Sequence, residues 1–162
     1  MTVPAGPPSP QVRPAAALAY ATIGFVTLLI AGWGLTSLFL DAEVVAVPGL
    51  GAVPGVVGTV IATGAFAGST WMIVRRTRPR YTAVVVVTAA AFLAHLGGLW
   101  LGALFSGVDL ARAAAAVGTF ATSPFALVLL ASAFVCGWIA VALVRTRASR
   151  PRWPWERDDD EP

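Results

Sequence analysis

Four long segments without a single charged side chain divide this chain of 162 residues. They span residues 14–40, 44–74, 81–108 and 113–144. Each exceeds the roughly 20 apolar residues that an α-helix needs to cross a hydrocarbon core about 30 Å thick. The charged fraction of 12% is also low, because soluble domains carry about 25%. The sequence therefore predicts an all-α membrane protein, an antiparallel bundle of four transmembrane helices.

The predicted transmembrane domain, residues 14–144, lies between two polar ends. Residues 1–13 carry four prolines and are expected to form a flexible cytoplasmic lead, and residues 145–162 form a cytoplasmic tail that is basic first and acidic afterwards. Charges, prolines and glycines set the predicted ends of the helices. The predicted crossings run over residues 15–40, 55–74, 81–105 and 124–144.

The fourth uncharged segment is longer than one crossing requires. Ser123 followed by Pro124 is typical of a helix start, because serine is a favoured N-cap and proline a favoured first helical residue. Residues 109–122 would then form a short separate helix on the outer surface, in which Asp109 and Arg112 are spaced to pair. The alternative is one long helix that kinks at Pro124.

The arginines fall mainly on one side of the predicted bundle. Four crossings place both termini on the same side as the turn between the second and third helices, and only Arg112 of the eleven basic residues falls on the opposite side. Because positive residues in short loops stay cytoplasmic, we expect a plasma-membrane protein with both termini in the cytoplasm. The candidate contacts of the inner leaflet are Arg75, Arg76, Arg78, Arg80, Arg145 and Arg147.

Small residues recur at every fourth position of two predicted helices. Helices in lipid associate where small residues let their backbones approach closely. We therefore expect helix three to lie centrally, with its small face against helix two or helix four, and the alternative is that one such face forms a dimer interface. The candidate packing residues are Ala90, Ala94, Gly98 and Gly102 on helix three and Gly64 and Gly68 on helix two.

His95 is the candidate functional polar residue, because an ionisable group within a membrane core is a functional hypothesis by default. One interpretation is a neutral imidazole that donates to a carbonyl or to a threonine such as Thr59 or Thr63. The other is a proton relay or a metal or haem ligand. A four-helix cytochrome of the b type needs two histidines, which only a symmetric dimer would supply here. We therefore expect no cofactor and no bound metal.

Several small four-helix membrane families lack their required residues in this sequence. Proton-coupled multidrug exporters use an intramembrane carboxylate, and no Asp or Glu lies in the four predicted crossings. Asp41 and Asp109 lie on the outer side, but lipoprotein signal peptidases and fluoride channels carry asparagine-bearing motifs, and asparagine is absent. Quinone-linked disulfide formers need cysteine pairs, whereas Cys136 is alone. No catalytic constellation can be assembled, so we expect no enzyme.

The layout of the chain resembles small uncharacterised multi-pass membrane proteins of actinobacteria. The shared features are the cytoplasmic lead, the alanine- and valine-rich crossings, the arginine turns and the closing Arg-Trp-Pro-Trp-Glu-Arg of residues 152–157 before the acids. The resemblance implies a membrane protein and no site residues.

The expected function is that of a non-enzymatic integral membrane protein. We expect an accessory or structural subunit whose partners are the lipid bilayer and either another membrane protein or a second copy of the chain. Nucleic acid is not an expected partner, because the basic residues form no continuous solvated face. The alternative is an oligomeric small-solute transporter or channel with a weakly polar path along Thr59, Thr63, Thr88 and His95.

Overall fold

The computed structural model of the chain describes residues 13–44, 51–76 and 80–145. Within these ranges every regular element is an α-helix. The helices are α1 (Pro14–Leu40), α2 (Val53–Val74), α3 (Ala83–Phe105), α4 (Leu110–Ala121) and α5 (Pro124–Arg145). All except α4 are long and apolar enough to cross a membrane. The predicted all-α fold is confirmed, with four helices long and apolar enough to span a membrane and one short extra helix.

The observed helix ends differ from the predicted ends by two residues at most. The largest differences are at the starts of α2 and α3. Helix α2 begins at Val53 because Pro54 is accommodated in its first turn, where proline removes no intrahelical hydrogen bond. The predicted lead before Arg13 and the predicted tail after Arg145 lie outside the described residues.

Helices α4 and α5 are separate, so the alternative of one long kinked helix is not formed. Asp109 caps α4: its carboxylate accepts a hydrogen bond from the backbone N–H of Arg112 at 3.0 Å and lies 3.5 Å from the Arg112 guanidinium. Ser123, the predicted N-cap of α5, instead donates its hydroxyl to the carbonyl of Phe120 at 2.7 Å. Ser123 thus closes the turn that joins the two helices.

The antiparallel helices give the bundle two chemically different ends. We call one the aspartate end, because Asp41 and Asp109 lie there, and the other the arginine end. The arginine end carries Arg13, Arg75, Arg76, Arg80 and Arg145. Helices α2 and α3 make the most extensive contact, α5 packs against α1 and α3, and α1 contacts α2 less closely.

The main core lies between α1, α2, α3 and α5. At its centre the rings of Phe25 on α1 and Phe66 on α2 are stacked, with their centroids 4.5 Å apart. A smaller alanine cluster, Ala103, Ala113 and Ala116, packs α4 against the last turns of α3. Helix α4 therefore packs back along α3 from the aspartate end, and its Phe120 lies in a buried cluster with Leu99.

Candidate functional site

His95 is completely buried at the middle of α3. Its ring centroid lies 4.5 Å from that of Phe120 on α4 and 5.4 Å from that of Trp33 on α1. Gly58 of α2 closes another side, because a Cβ atom at this position would lie 3.1 Å from the imidazole Cε1. Helices α1, α2 and α4 thus surround the imidazole with aromatic rings and backbone. We call Trp33, Gly58 and Phe120 the cage of His95.

No side chain of this cage forms a hydrogen bond with the imidazole of His95. Nδ1 faces the backbone of Gly58, which gives it a weak electrostatic contact. Neither Nδ1 nor Nε2, however, forms a hydrogen bond with any described residue. A buried polar atom that lacks a hydrogen bond costs about 1–3 kcal/mol. The ring nitrogens of His95, like the hydroxyls of Thr22 and Thr70, are therefore polar atoms whose burial costs free energy.

The threonines predicted to accompany His95 satisfy their hydroxyls elsewhere. Thr59 donates to the carbonyl of Gly55 and Thr63 to that of Thr59, both at 2.8 Å. Thr88 donates to the carbonyl of Val84 at 3.0 Å. The expected hydrogen bond from His95 to Thr59 or Thr63 is not formed. These side chains therefore do not form a connected polar path.

Trp33 contacts His95 and also lines a groove that lies between α1 and α2 at the aspartate end. Its indole Nε1 donates to the carbonyl of Phe125 at 3.0 Å and so ties α1 to the first turn of α5. Its ring also lines the groove, which has a volume of about 610 Å³. The groove walls are largely apolar, including Ile30, Val56 and Val60, and Glu43 lies at the margin. We call this cavity the α1–α2 groove.

Gly98 and Gly102 bring α3 into backbone contact with α2. A Cβ atom at Gly98 would lie 2.8 Å from the Cα of Gly58, and one at Gly102 would lie 2.8 Å from the Cα of Pro54. Ala90 and Ala94, on the same stripe, are half-buried. The α2 side of this contact was missed by sequence analysis. Its signal is the run of small or compact residues at every fourth position, Pro54, Gly58 and Ala62, all of which are buried.

Gly64 and Gly68 lie on a different face of α2. Both are exposed, and no atom lies within 4 Å of a Cβ atom built at either position. Among the described residues, neither glycine of this GxxxG pair therefore packs closely against another helix. A close contact is instead found between α5 and α1. Cys136 on α5 is buried, and its Sγ lies 3.5 Å from the position that a Cβ atom would take at Gly24 on α1.

The candidate inner-leaflet residues that the structure describes all lie exposed at the arginine end: Arg75, Arg76, Arg80 and Arg145. The Arg145 guanidinium stacks 4.7 Å above the ring centroid of Tyr81, which in turn lies 6.0 Å from that of Trp138. Arg78 and Arg147 lie outside the described residues. Searched over the described ranges, the chain has no group of three or more His, Cys, Asp or Glu side chains able to hold a metal ion.

Comparison with known proteins identifies a family but no characterised relative. Neither the curated proteins nor the solved structures give a match. The sequence profile of one family matches residues 10–162, a range that includes all five helices. Since the match covers almost the whole chain, this protein belongs to DUF6121, a family of unknown function.

Proposed function

We propose that this protein is a non-enzymatic accessory or structural subunit that packs against another integral membrane protein through one face of α2. The observation that carries the proposal is the exposed Gly64–Gly68 pair. A Cβ atom built at either glycine has no described atom of another helix within 4 Å. A glycine in a helix interior costs about 1 kcal/mol relative to alanine. Within the described residues, no contact of these glycines offsets that cost. A partner helix that approached closely at the glycines would offset it through van der Waals contacts.

The proposed docking face continues from the glycine pair into the α1–α2 groove. Val56, Val60, Gly64 and Gly68 recur at every fourth position and are all exposed, so they form one stripe along α2. Val56 and Val60 also line the groove. A partner transmembrane helix lying along this stripe would approach most closely at the glycines and place its larger side chains in the groove.

Two features favour this proposal over transport of a solute. Thr59, Thr63 and Thr88 direct their hydroxyls to carbonyls of their own helices. His95 is completely buried behind Trp33 and Phe120. The layout of the chain resembles that of small multi-pass membrane proteins of actinobacteria. This resemblance supports a location in the plasma membrane.

We place the arginine end, with both termini, in the cytoplasm. The described arginines at that end outnumber the single arginine at the aspartate end, and positive residues near helix ends stay cytoplasmic. Alkaline phosphatase fused after residue 162 or before residue 1 should therefore be inactive, while a green fluorescent protein fused at either site should fluoresce. Termini on opposite sides of the membrane, or both outside, would contradict this orientation.

The docking face is tested by the double substitution Gly64→Leu and Gly68→Leu. Two leucines there would hold a partner helix away, and a Cβ atom at either position has no described atom of another helix within 4 Å. We expect the tagged variant, purified from its native membranes in mild detergent, to lose the partner that the wild-type chain retains, with an unfolding temperature no lower than that of wild type. Site-specific photo-cross-linking at position 60, an exposed valine of the same stripe, followed by mass spectrometry, identifies that partner.

The matched control is the double substitution Gly34→Leu and Gly97→Leu. Both of these glycines are exposed helix positions with no atom within 4 Å of a built Cβ, but they lie on α1 and α3. The control should retain the partner that cross-links at position 60. Equal retention by the two variants would contradict the proposed face. A cross-link only to a second copy, or solute transport by the purified chain in liposomes, would contradict the accessory role.

A further inference from the structure

A second cavity lies at the arginine end, where α2 ends and α3 begins. Its volume is about 340 Å³. Two arginines and a threonine form its polar side, and three aliphatic residues form the remainder. The lining residues are Arg76, Arg80, Thr82, Ile73, Ala83 and Val86.

The positive charge of this cavity has no counter-charge in the described part of the chain. Neither Arg76 nor Arg80 forms an ion pair with any residue in the described ranges. The acidic residues of those ranges, Asp41, Glu43 and Asp109, all lie at the opposite end of the bundle. Two guanidinium groups beside one hydroxyl therefore form a site complementary to an anion.

The apolar side of the cavity leads to the outer surface of the bundle. Ile73 is buried, but Val86 is 63% exposed on α3 one turn beyond Thr82. The cavity thus places its charges at the helix ends and opens toward the surface that contacts acyl chains when the bundle lies in a membrane. An inorganic anion would use only the polar part, whereas an anionic lipid would use both.

We infer that this cavity binds the phosphate headgroup of an anionic membrane lipid. Arg76 and Arg80 contact the phosphate oxygens through charge-assisted hydrogen bonds, because a guanidinium matches phosphate geometry. The Thr82 hydroxyl is a further donor, and an acyl chain follows Val86 along α3. Basic pockets between transmembrane helices are typical headgroup sites. The inference depends on neither the docking face of α2 nor the direction of insertion, since each leaflet presents phosphate groups.

The test measures lipid binding by the full chain, purified in a neutral detergent and analysed by native mass spectrometry. Phosphatidylglycerol and phosphatidylcholine with identical acyl chains are the probes. We expect one tightly bound phosphatidylglycerol. The double substitution Arg76→Gln and Arg80→Gln should weaken its apparent affinity about ten-fold or more, since both phosphate contacts are lost.

The matched control is the double substitution Arg13→Gln and Arg75→Gln. It removes the same charge from exposed positions at the same end, but neither residue lines the cavity. The control should bind phosphatidylglycerol within about two-fold of wild type. Equal losses in the two double variants would overturn the inference, because non-specific attraction to a basic surface does not depend on position.

Two further measurements show which group supplies the anion that occupies the cavity. Inorganic phosphate at the lipid's concentration should not displace phosphatidylglycerol, and displacement would assign the cavity to free phosphate. The acidic tail of the chain is the other possible occupant. If phosphatidylglycerol bound only after Asp158, Asp159 and Asp160 were changed to asparagine, the cavity would belong to the tail, and the inference would fail.

Discussion

Gly98→Leu is expected to destabilise the bundle more than Leu99→Ala, although the leucine removed by the second change is completely buried. A Cβ atom at position 98 would lie 2.8 Å from the Cα and 3.2 Å from the backbone N of Gly58. Backbone atoms cannot rotate away, so α2 and α3 must separate. Leu99→Ala leaves only a cavity, which costs about 2–5 kcal/mol. Thermal unfolding in detergent, followed by tryptophan fluorescence, compares the two variants.

Gly97→Leu is the control for this comparison. It introduces the same side chain one residue away on α3, at an exposed position where no atom lies within 4 Å of a built Cβ. We expect its unfolding temperature to be no lower than that of wild type, since leucine is a better helix former than glycine. Similar losses for Gly97→Leu and Gly98→Leu would mean that the helix, and not the contact with α2, is sensitive to leucine. Similar losses for Gly98→Leu and Leu99→Ala would contradict the close approach at Gly58.

Sequence analysis predicted the helices well because their limits depend on local chemistry. Charges, prolines and the aspartate cap of α4 act within a few residues of the ends that they define. The small stripe of α3 was also visible, since Gly98 and Gly102 belong to a repeat at every fourth residue. These are properties of one helix at a time.

The partner of that stripe could not be predicted in the same way. On α2 the sequence offers two small faces, one with Gly58 and Ala62 and one with Gly64 and Gly68, and both have four-residue spacing. Which face turns inward depends on the rotation of α2 about its axis. That rotation is set by all the helices together, including the stacking of Phe25 on α1 against Phe66 on α2.

The cage of His95 was missed for a related reason. Trp33 on α1 and Phe120 on α4 come from distant parts of the sequence. Phe120 reaches the imidazole because α4 packs back along α3, where its alanines contact Ala103. The position of a short amphipathic helix relative to a bundle leaves no local pattern in the sequence.

His95→Ala and His95→Leu are expected to change stability in opposite directions. Alanine leaves a cavity among Trp33, Gly58 and Phe120, and we expect a loss of about 2–5 kcal/mol. Leucine fills most of that volume and removes two nitrogen atoms that lack hydrogen bonds among the described residues. Removing the two unpaired nitrogen atoms should stabilise the fold by about 1–3 kcal/mol. Losing the contacts between aromatic rings should destabilise it by about 0.5–1.5 kcal/mol. We therefore expect His95→Leu to unfold at a slightly higher temperature than wild type.

Comparison of His95→Ala with His95→Leu also distinguishes a packing role of His95 from a chemical role. If His95 is only a buried part of the bundle, His95→Leu should retain the partner that cross-links at position 60, because Gly64 and Gly68 lie on another face of α2. A leucine variant as unstable as the alanine variant would mean that a ring nitrogen is bonded to a group outside the described residues, such as a water molecule or a ligand. A stable leucine variant that no longer binds its partner would give the imidazole a role in the assembly, and the interface would then have to include the cage as well as the docking face of α2.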